Sequence, residues 1–534
     1  MVKKKKKSRK LRNRNTPLSK HKIKGKVLQT PLSQIGIKSF AYDRDLIPEL
    51  LWIDSLAQTF NNTHWHKLFD DFLDALEKHF DTEKIILLGT LTDFGKIPES
   101  ARETILIQEK ETIKLLFENP VGQKLLMYPD CPANWLISKE FATQKIDSEN
   151  IIKLLKEALI RLYPGKDEYC GYLRMMPLKR ILKHGRMRFP MNMPIVDLLP
   201  KYPINCTDEE KRMIESFGRS TVNMILSNMG NDHESHISTI WTKHFWQQNI
   251  QISTCEQLTF HTSYGGNKIA PEQLNKLPDL CESISKKLSE YMTLLTQKYP
   301  YDLYEPEKDE VILGLFSRIV RFLILQLQNT SFWSIDISRI ILRCIVETVI
   351  NLGYLLTKNE FSLYQSFIEY GKGKEKLLML QLQDTYENAK GPSGESFEDL
   401  QLDLGSFNAE LIDINFGNWA KTDIRKMSIS IGFEDLYRLI FDPTSSDIHG
   451  SWTSIRKSNL TYCANPLHRM HKLPTLIEPP FYIEHLILPL RIFERIFEKC
   501  KMIAGFPDHG IDFASFYKVY DVINDESSSA KHEQ

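Results

Sequence analysis

A run of apolar residues over 334–356, "SIDISRIILRCIVETVINLGYLL", constrains this chain more than any other stretch. It reads as a helix that is apolar nearly all round, and such a helix has to be buried. Yet Asp336, Arg339, Arg343 and Glu347 recur every three or four residues, which on a helix makes one stripe. Charges carried into a core must be paired or must serve a site, because their desolvation is expensive. Two arginines one turn apart repel unless something anionic lies between them. One reading is an internal ion-pair ladder, with Asp336 neutralising one arginine and Glu347 the other. The second is an anion or phosphate pocket, or part of a catalytic cluster.

The same helical period recurs along most of the chain. In "RDLIPELLWIDSLAQTF" it falls on Leu46, Leu50, Ile53, Leu56 and Phe60, and in "WHKLFDDFLDALEKHF" on Leu68, Phe72, Leu76 and Phe80. Ser100 with Glu103 three residues later reads as a capping box opening the next helix. The proline-rich segment with Pro190, Pro194, Pro200 and Pro203 is irregular. Further on, Pro306 opens a helix, "YGKGKEK" is helix with tolerated glycines, and Pro489 kinks the final helix. Almost nothing alternates with period two. The fold class is therefore all-α: a multi-helix N-terminal region, then a helical bundle. The expected divisions are a disordered basic arm over 1–38, a helical region over 39–300, a bundle over 301–508 and a tail over 509–534. No window is expected to span a membrane, since the two most apolar carry Arg318 and Arg321, and Arg343 and Glu347. A charge at the bilayer centre costs about 2.5–3.5 kcal/mol. Cations without an apolar segment behind them do not make a secretory signal, and eight scattered cysteines fit a reducing cytoplasm.

A net charge of +1 conceals an asymmetry. Residues 1–42 hold 14 lysines and arginines and no acid, which leaves 55 basic against 68 acidic residues elsewhere, a net of −13. Lys3, Lys4, Lys5, Lys6, Lys7, Arg9, Lys10, Arg12 and Arg14 are the candidate nucleic-acid contacts, because flexible polycations bind phosphate by counterion release without reading sequence. A solubilising tail and an anionic-membrane contact are the competing readings of the same composition.

The second candidate for chemistry is "DLYRLIFDPTSSDIHGSW". Arg438 falls on a short helix that Asp442–Pro443 breaks, Ser445, Ser446 or Asp447 caps the next turn, and His449 follows. Its imidazole is either a general acid–base or a hydrogen-bonding fixture packed beside Trp452. No metal site or cofactor is expected. The cysteines show no paired zinc-type spacing. His233 and His236 share a helical face, but His244 lies about 16 Å further along it, and His468 and His471 stand three apart with no third ligand in view.

The Arg–x3–Glu helix "SRIILRCIVETVINLGYLL" together with the later "YRLIFDPTSSDIHGSW" resembles a bacterial family of unknown function, numbered 5677, over roughly 305–505. "KGKVLQTPLSQI" and "YDRDLIPELLW" look like the leader that often precedes its domain. That family is similar in architecture to the HEPN superfamily of helical bundles, many of which are metal-independent ribonucleases in toxin, CRISPR or abortive-infection systems. The resemblance implies a HEPN-like bundle that can form homodimers, RNA or another nucleic acid as partner, and a role in phage defence or stress response. It also implies catalytic candidates: His449 moving the proton, Arg343 and Arg438 clamping phosphate, and Glu347 orienting an arginine. The chain departs from the Arg–x4–6–His motif of those HEPN ribonucleases. Ten residues separate Arg438 from His449, and an Arg–x6–His spacing occurs at Arg14 and His21, in the arm. The alternative implied function is a non-enzymatic scaffold or nucleic-acid-binding protein whose buried charge network is structural.

Overall fold

The computed structural model describes residues 20, 22–25, 27–29, 41–60, 64–137, 148–185, 194–203, 205–228, 232–256, 277–385, 389–405, 411–476 and 482–518. The nine arm residues from Lys3 to Arg14 lie outside these. The described chain is all-α, with two short two-stranded pairings, Lys22–Lys24 with Val27–Gln29 and Leu460–Tyr462 with Lys472–Pro474. The first pairing falls within the arm expected to be disordered to residue 38. The chain folds as two units, Met1–Gln257 with Tyr462–Lys472, and Leu258–Thr461 with Leu473–Gln534.

In the first unit the helix Ile47–Thr59 is buried on nearly every side. Trp52 is its centre: the indole stacks on Phe69 and Phe117 with centroids 5.4 and 5.6 Å away, and Nε1 donates to Gly89 O at 2.7 Å. The polar tip is thereby satisfied inside an apolar cluster. Two of the unit's fully buried charges, Arg180 and Asp54, are in ion pairs. Arg180, fully buried, donates to Glu77 at 2.6 Å and Asp74 at 2.5 Å, and Arg161 grips Asp54 from the helix Ser148–Leu162. Ser100 does not cap: the helix Glu99–Gln108 starts one residue before it, behind Pro98, so Ser100 lies inside the first turn.

The second unit is built round the long apolar helix, Ile335–Lys358, which packs against Pro306–Gln328, Ile424–Ser430, Asp442–Ile448 and Glu484–Ala504. Among the described residues it is the one helix long and apolar enough to cross a membrane, and 61% of its most apolar window is buried inside the protein. The unit starts earlier than the division expected at residue 300. The helix Leu277–Lys298 buries Ile284, Leu288, Tyr291 and Leu295 in this core. It also extends past 508, since Ile511, Phe513 and Phe516 are buried there. Pro489 lies inside Glu484–Ala504 and cannot donate to the carbonyl of His485 one turn back. The amide of Gln326 takes that place, donating to His485 O at 2.9 Å. Gly373 is more than tolerated in Phe361–Thr385: a Cβ there would lie 2.7 Å from Asp413 O, so glycine lets the 413–415 backbone approach.

Glu49 is 2% exposed and accepts from Thr92 N and from Trp241 Nε1 at 3.0 and 3.1 Å. Burial pushes its carboxyl up from 4.5 to about 7. Between those values the folded chain holds a proton that the unfolded chain has lost, so stability falls as pH rises across that window. Replacing Glu49 by Gln removes this term. The difference in thermal midpoint between E49Q and wild type should move in the variant's favour from about pH 5 to about pH 8, as read by circular dichroism melts.

Candidate functional site

The charged stripe docks onto a segment about a hundred residues downstream. After the short helical turn Glu434–Leu436, residues Tyr437–Phe441 form one wide π-type turn that runs directly into the helix Asp442–Ile448. The break expected at Asp442–Pro443 does not occur. Pro443 sits in the first turn of the α-helical stretch, where its missing N–H costs little. The carbonyls around the junction are taken by side chains: Thr444 Oγ1 donates to Ile440 O at 2.6 Å, and Ser445 Oγ to Phe441 O at 3.0 Å.

Arg343 completes this arrangement. One guanidinium nitrogen donates to Phe441 O at 2.8 Å and to Ser445 Oγ at 2.6 Å, and the guanidinium carbon lies 3.8 Å from the centroid of the Phe441 ring. Arg339, one turn earlier, pairs with Asp447 at 2.7 Å, their side chains 18% and 6% exposed, and donates to Pro443 O at 3.2 Å. The ladder within one helix expected from spacing is not formed. Among the described residues Arg343 has no carboxylate partner, Asp336 pairs with neither arginine, and the acid that neutralises Arg339 is Asp447. Glu347 is exposed and lines a different feature, an open cleft of about 1060 Å³ shared with Asn351, Tyr370, Trp419 and Lys426.

His449 is the residue at which the helix Asp442–Ile448 stops. Its backbone N–H donates to Ser445 O at 3.2 Å, and Gly450 follows at φ 56°, the left-handed conformation that commonly ends helices. The imidazole is exposed and, among the described residues, has no side-chain hydrogen bond and no ring contact to Trp452, itself 64% exposed. Arg438 is exposed and makes an i,i+4 pair with Glu434 at 3.5 Å. Of the four catalytic candidates, Arg343 is thus engaged with the turn, whereas His449, Arg438 and Glu347 are exposed and none is in hydrogen-bonding contact with Arg343 or with another of the four.

Several participants went unnoticed in sequence. Phe441 offers its ring and carbonyl to Arg343, and Ser445 and Asp447 bind arginines instead of capping. His485 is also near: burial first, and then the charge of Arg339, push its imidazole down to about 4. Local spacing carries no signal for any of these. His233 and His236 lie on the helix Asp232–Gln251, with side chains outside the described set, and His244 pairs with Asp130 at 2.5 Å. In the first unit, Cys255, Cys463, His468 and His471 bring four metal-ligating atoms within 4.8 Å of one another, a grouping that no short cysteine spacing in the sequence signals.

Residues 309–462 match the model of a family of unknown function (DUF5677). No curated protein and no solved structure matches the chain.

Arg343→Ala should destabilise the protein by about 2–3 kcal/mol in urea unfolding, from the lost charged hydrogen bonds and the lost aromatic face. Arg438→Ala, which removes an exposed pair, should change stability by less than about 0.5 kcal/mol.

Proposed function

We propose that this chain is a non-enzymatic nucleic-acid-binding protein in which the charge network of the second unit is structural and the basic arm supplies the affinity. The observation that carries this reading is how the arginines are spent. A phosphate clamp needs guanidinium donors aimed at open space, next to a group that moves a proton. Arg343 instead satisfies a carbonyl, a hydroxyl and a ring, and Arg339 is neutralised by Asp447. His449 makes no hydrogen bond to either, and the ribonuclease spacing is absent from the bundle.

The arm supports the other half of the reading. With 14 basic residues and no acid in the first 42, it can neutralise many phosphates at once, whereas the rest of the chain carries a net negative charge and does not attract them. Two of these 14, Lys22 and Lys24, are exposed in the strand Lys22–Lys24. None of the eight cysteines is in a disulfide, which suits a reducing compartment, and we place the protein in the cytoplasm on that ground.

Fluorescence anisotropy on a labelled single-stranded RNA tests this directly. Affinity of the full chain should fall by about 10³-fold or more between roughly 50 and 200 mM salt, and a chain lacking residues 1–26 should lose binding without losing its thermal transition. Binding that survives the deletion overturns the assignment to the arm. Metal-independent RNA cleavage by the full chain that disappears in His449→Ala overturns the non-enzymatic reading.

A further inference from the structure

We propose that Cys255, Cys463, His468 and His471 hold one zinc ion in a closed Cys2His2 site within the first unit. Cys255 follows the end of the helix Asp232–Gln251, and the other three come from the loop 463–471. Cys255 Sγ lies 3.4 Å from His468 Nδ1 and 3.3 Å from His471 Nε2, and Cys463 Sγ lies 3.6 Å from His468 Nδ1. A tetrahedral zinc with Zn–S of roughly 2.3 Å and Zn–N of roughly 2.05 Å fixes each S–N edge at roughly 3.6 Å. These three separations match that edge to within a few tenths of an ångström, and all four ligand atoms lie within 4.8 Å of one another.

The loop is shaped to present these atoms. The Cys463 N–H donates to His471 O at 2.8 Å and closes the loop at its base. A 3-10 turn at Pro466–His468 and left-handed conformations at Arg469 and Met470 reverse the chain between the two histidines. The loop is fastened to the rest of the unit by Leu467 in its core and by Tyr163 Oη donating to Pro466 O at 2.6 Å. Cys463, Asn465 and His468 are all buried.

The surroundings also orient the ring of His468. Ser253 Oγ donates to Asn249 O at 3.5 Å and accepts from the amide of the fully buried Asn465 at 2.8 Å. Ser253 Oγ lies 3.1 Å from His468 Nε2 and the Asn465 amide nitrogen 3.5 Å from it, so that ring nitrogen is engaged on the side away from the sulfurs and Nδ1 is the one that faces them. Metal-bound histidines are oriented this way, by a hydrogen bond from the nitrogen that does not bind. Binding releases the two thiol protons. Two thiolates and two neutral imidazoles around Zn2+ leave no net charge to bury, and four protein ligands leave no position for a reacting water. The site is structural: it ties the loop 463–471 to the end of Asp232–Gln251, and its binding energy becomes folding energy of the unit.

Elemental analysis of the full chain, purified without metal-affinity resin or chelator, tests this. About one zinc per chain is expected from a closed four-ligand site, and cobalt exchanged into it should give thiolate-to-metal charge transfer and tetrahedral d–d bands. Cys255→Ser, at an exposed position, should lower zinc content and cobalt absorption at least tenfold, whereas Cys206→Ser should keep both. If Cys255→Ser fails to fold, the cobalt spectrum of the wild type still decides. A wild-type chain that takes up neither metal, undiminished metal in Cys255→Ser, or a Cys255–Cys463 disulfide in protein purified without reductant would overturn the proposal.

Discussion

The second unit depends on one interaction: the guanidinium of Arg343 reaching from the central helix to the Phe441 carbonyl, the Ser445 hydroxyl and the Phe441 ring. A helix as apolar as Ile335–Lys358 is at home in a core, but its arginines are not, and a charge left without partners there costs several kcal/mol. The segment 437–448 resolves the conflict. Its wide turn sets free carbonyls toward the central helix, its serine adds an acceptor, and Asp447 supplies the counter-charge for Arg339. The arginines in turn give the segment its place on the bundle. His449 and Gly450 then end the helix, so the histidine comes to the surface at the edge of this arrangement.

This division of labour bears on what the protein can do. Guanidinium groups engaged with a carbonyl, a hydroxyl, a ring and a carboxylate are not aimed at open space, which is the ground on which we propose the arm as the contact for a polyanion. The first unit follows the same rule for buried charge, with Arg180 between Glu77 and Asp74 and Arg161 on Asp54. The four-ligand cluster at Cys255 extends it to a cation that the chain would bind rather than encode.

What was legible in the sequence was local. The all-α class, the burial of the central helix and the stripe of charges on it follow from helical periodicity, which needs only neighbours three and four residues away. The partners of that stripe do not. Asp336 and Glu347 are the closest acids in sequence, and neither pairs with an arginine of the stripe, because both the accepting carbonyl of Phe441 and Asp447 arrive from about a hundred residues downstream. Asp442–Pro443 reads as a break by residue preference, yet proline in the first turn of a helix is compatible with continuing it. The metal-type cluster was hidden for the same reason as the arginine partners. Three of its ligands lie within nine residues, but Cys255 is more than two hundred residues before them, and no spacing rule spans that distance.

The central claim is that the stripe is spent on holding the 441–447 segment. A double-mutant cycle on Arg339→Met and Asp447→Leu, read by urea unfolding of the full chain, tests it most directly. Each single change, by leaving a charge buried without its partner, should cost more than the double change, with a coupling of about 1–3 kcal/mol. Additive effects, with no coupling, would contradict it.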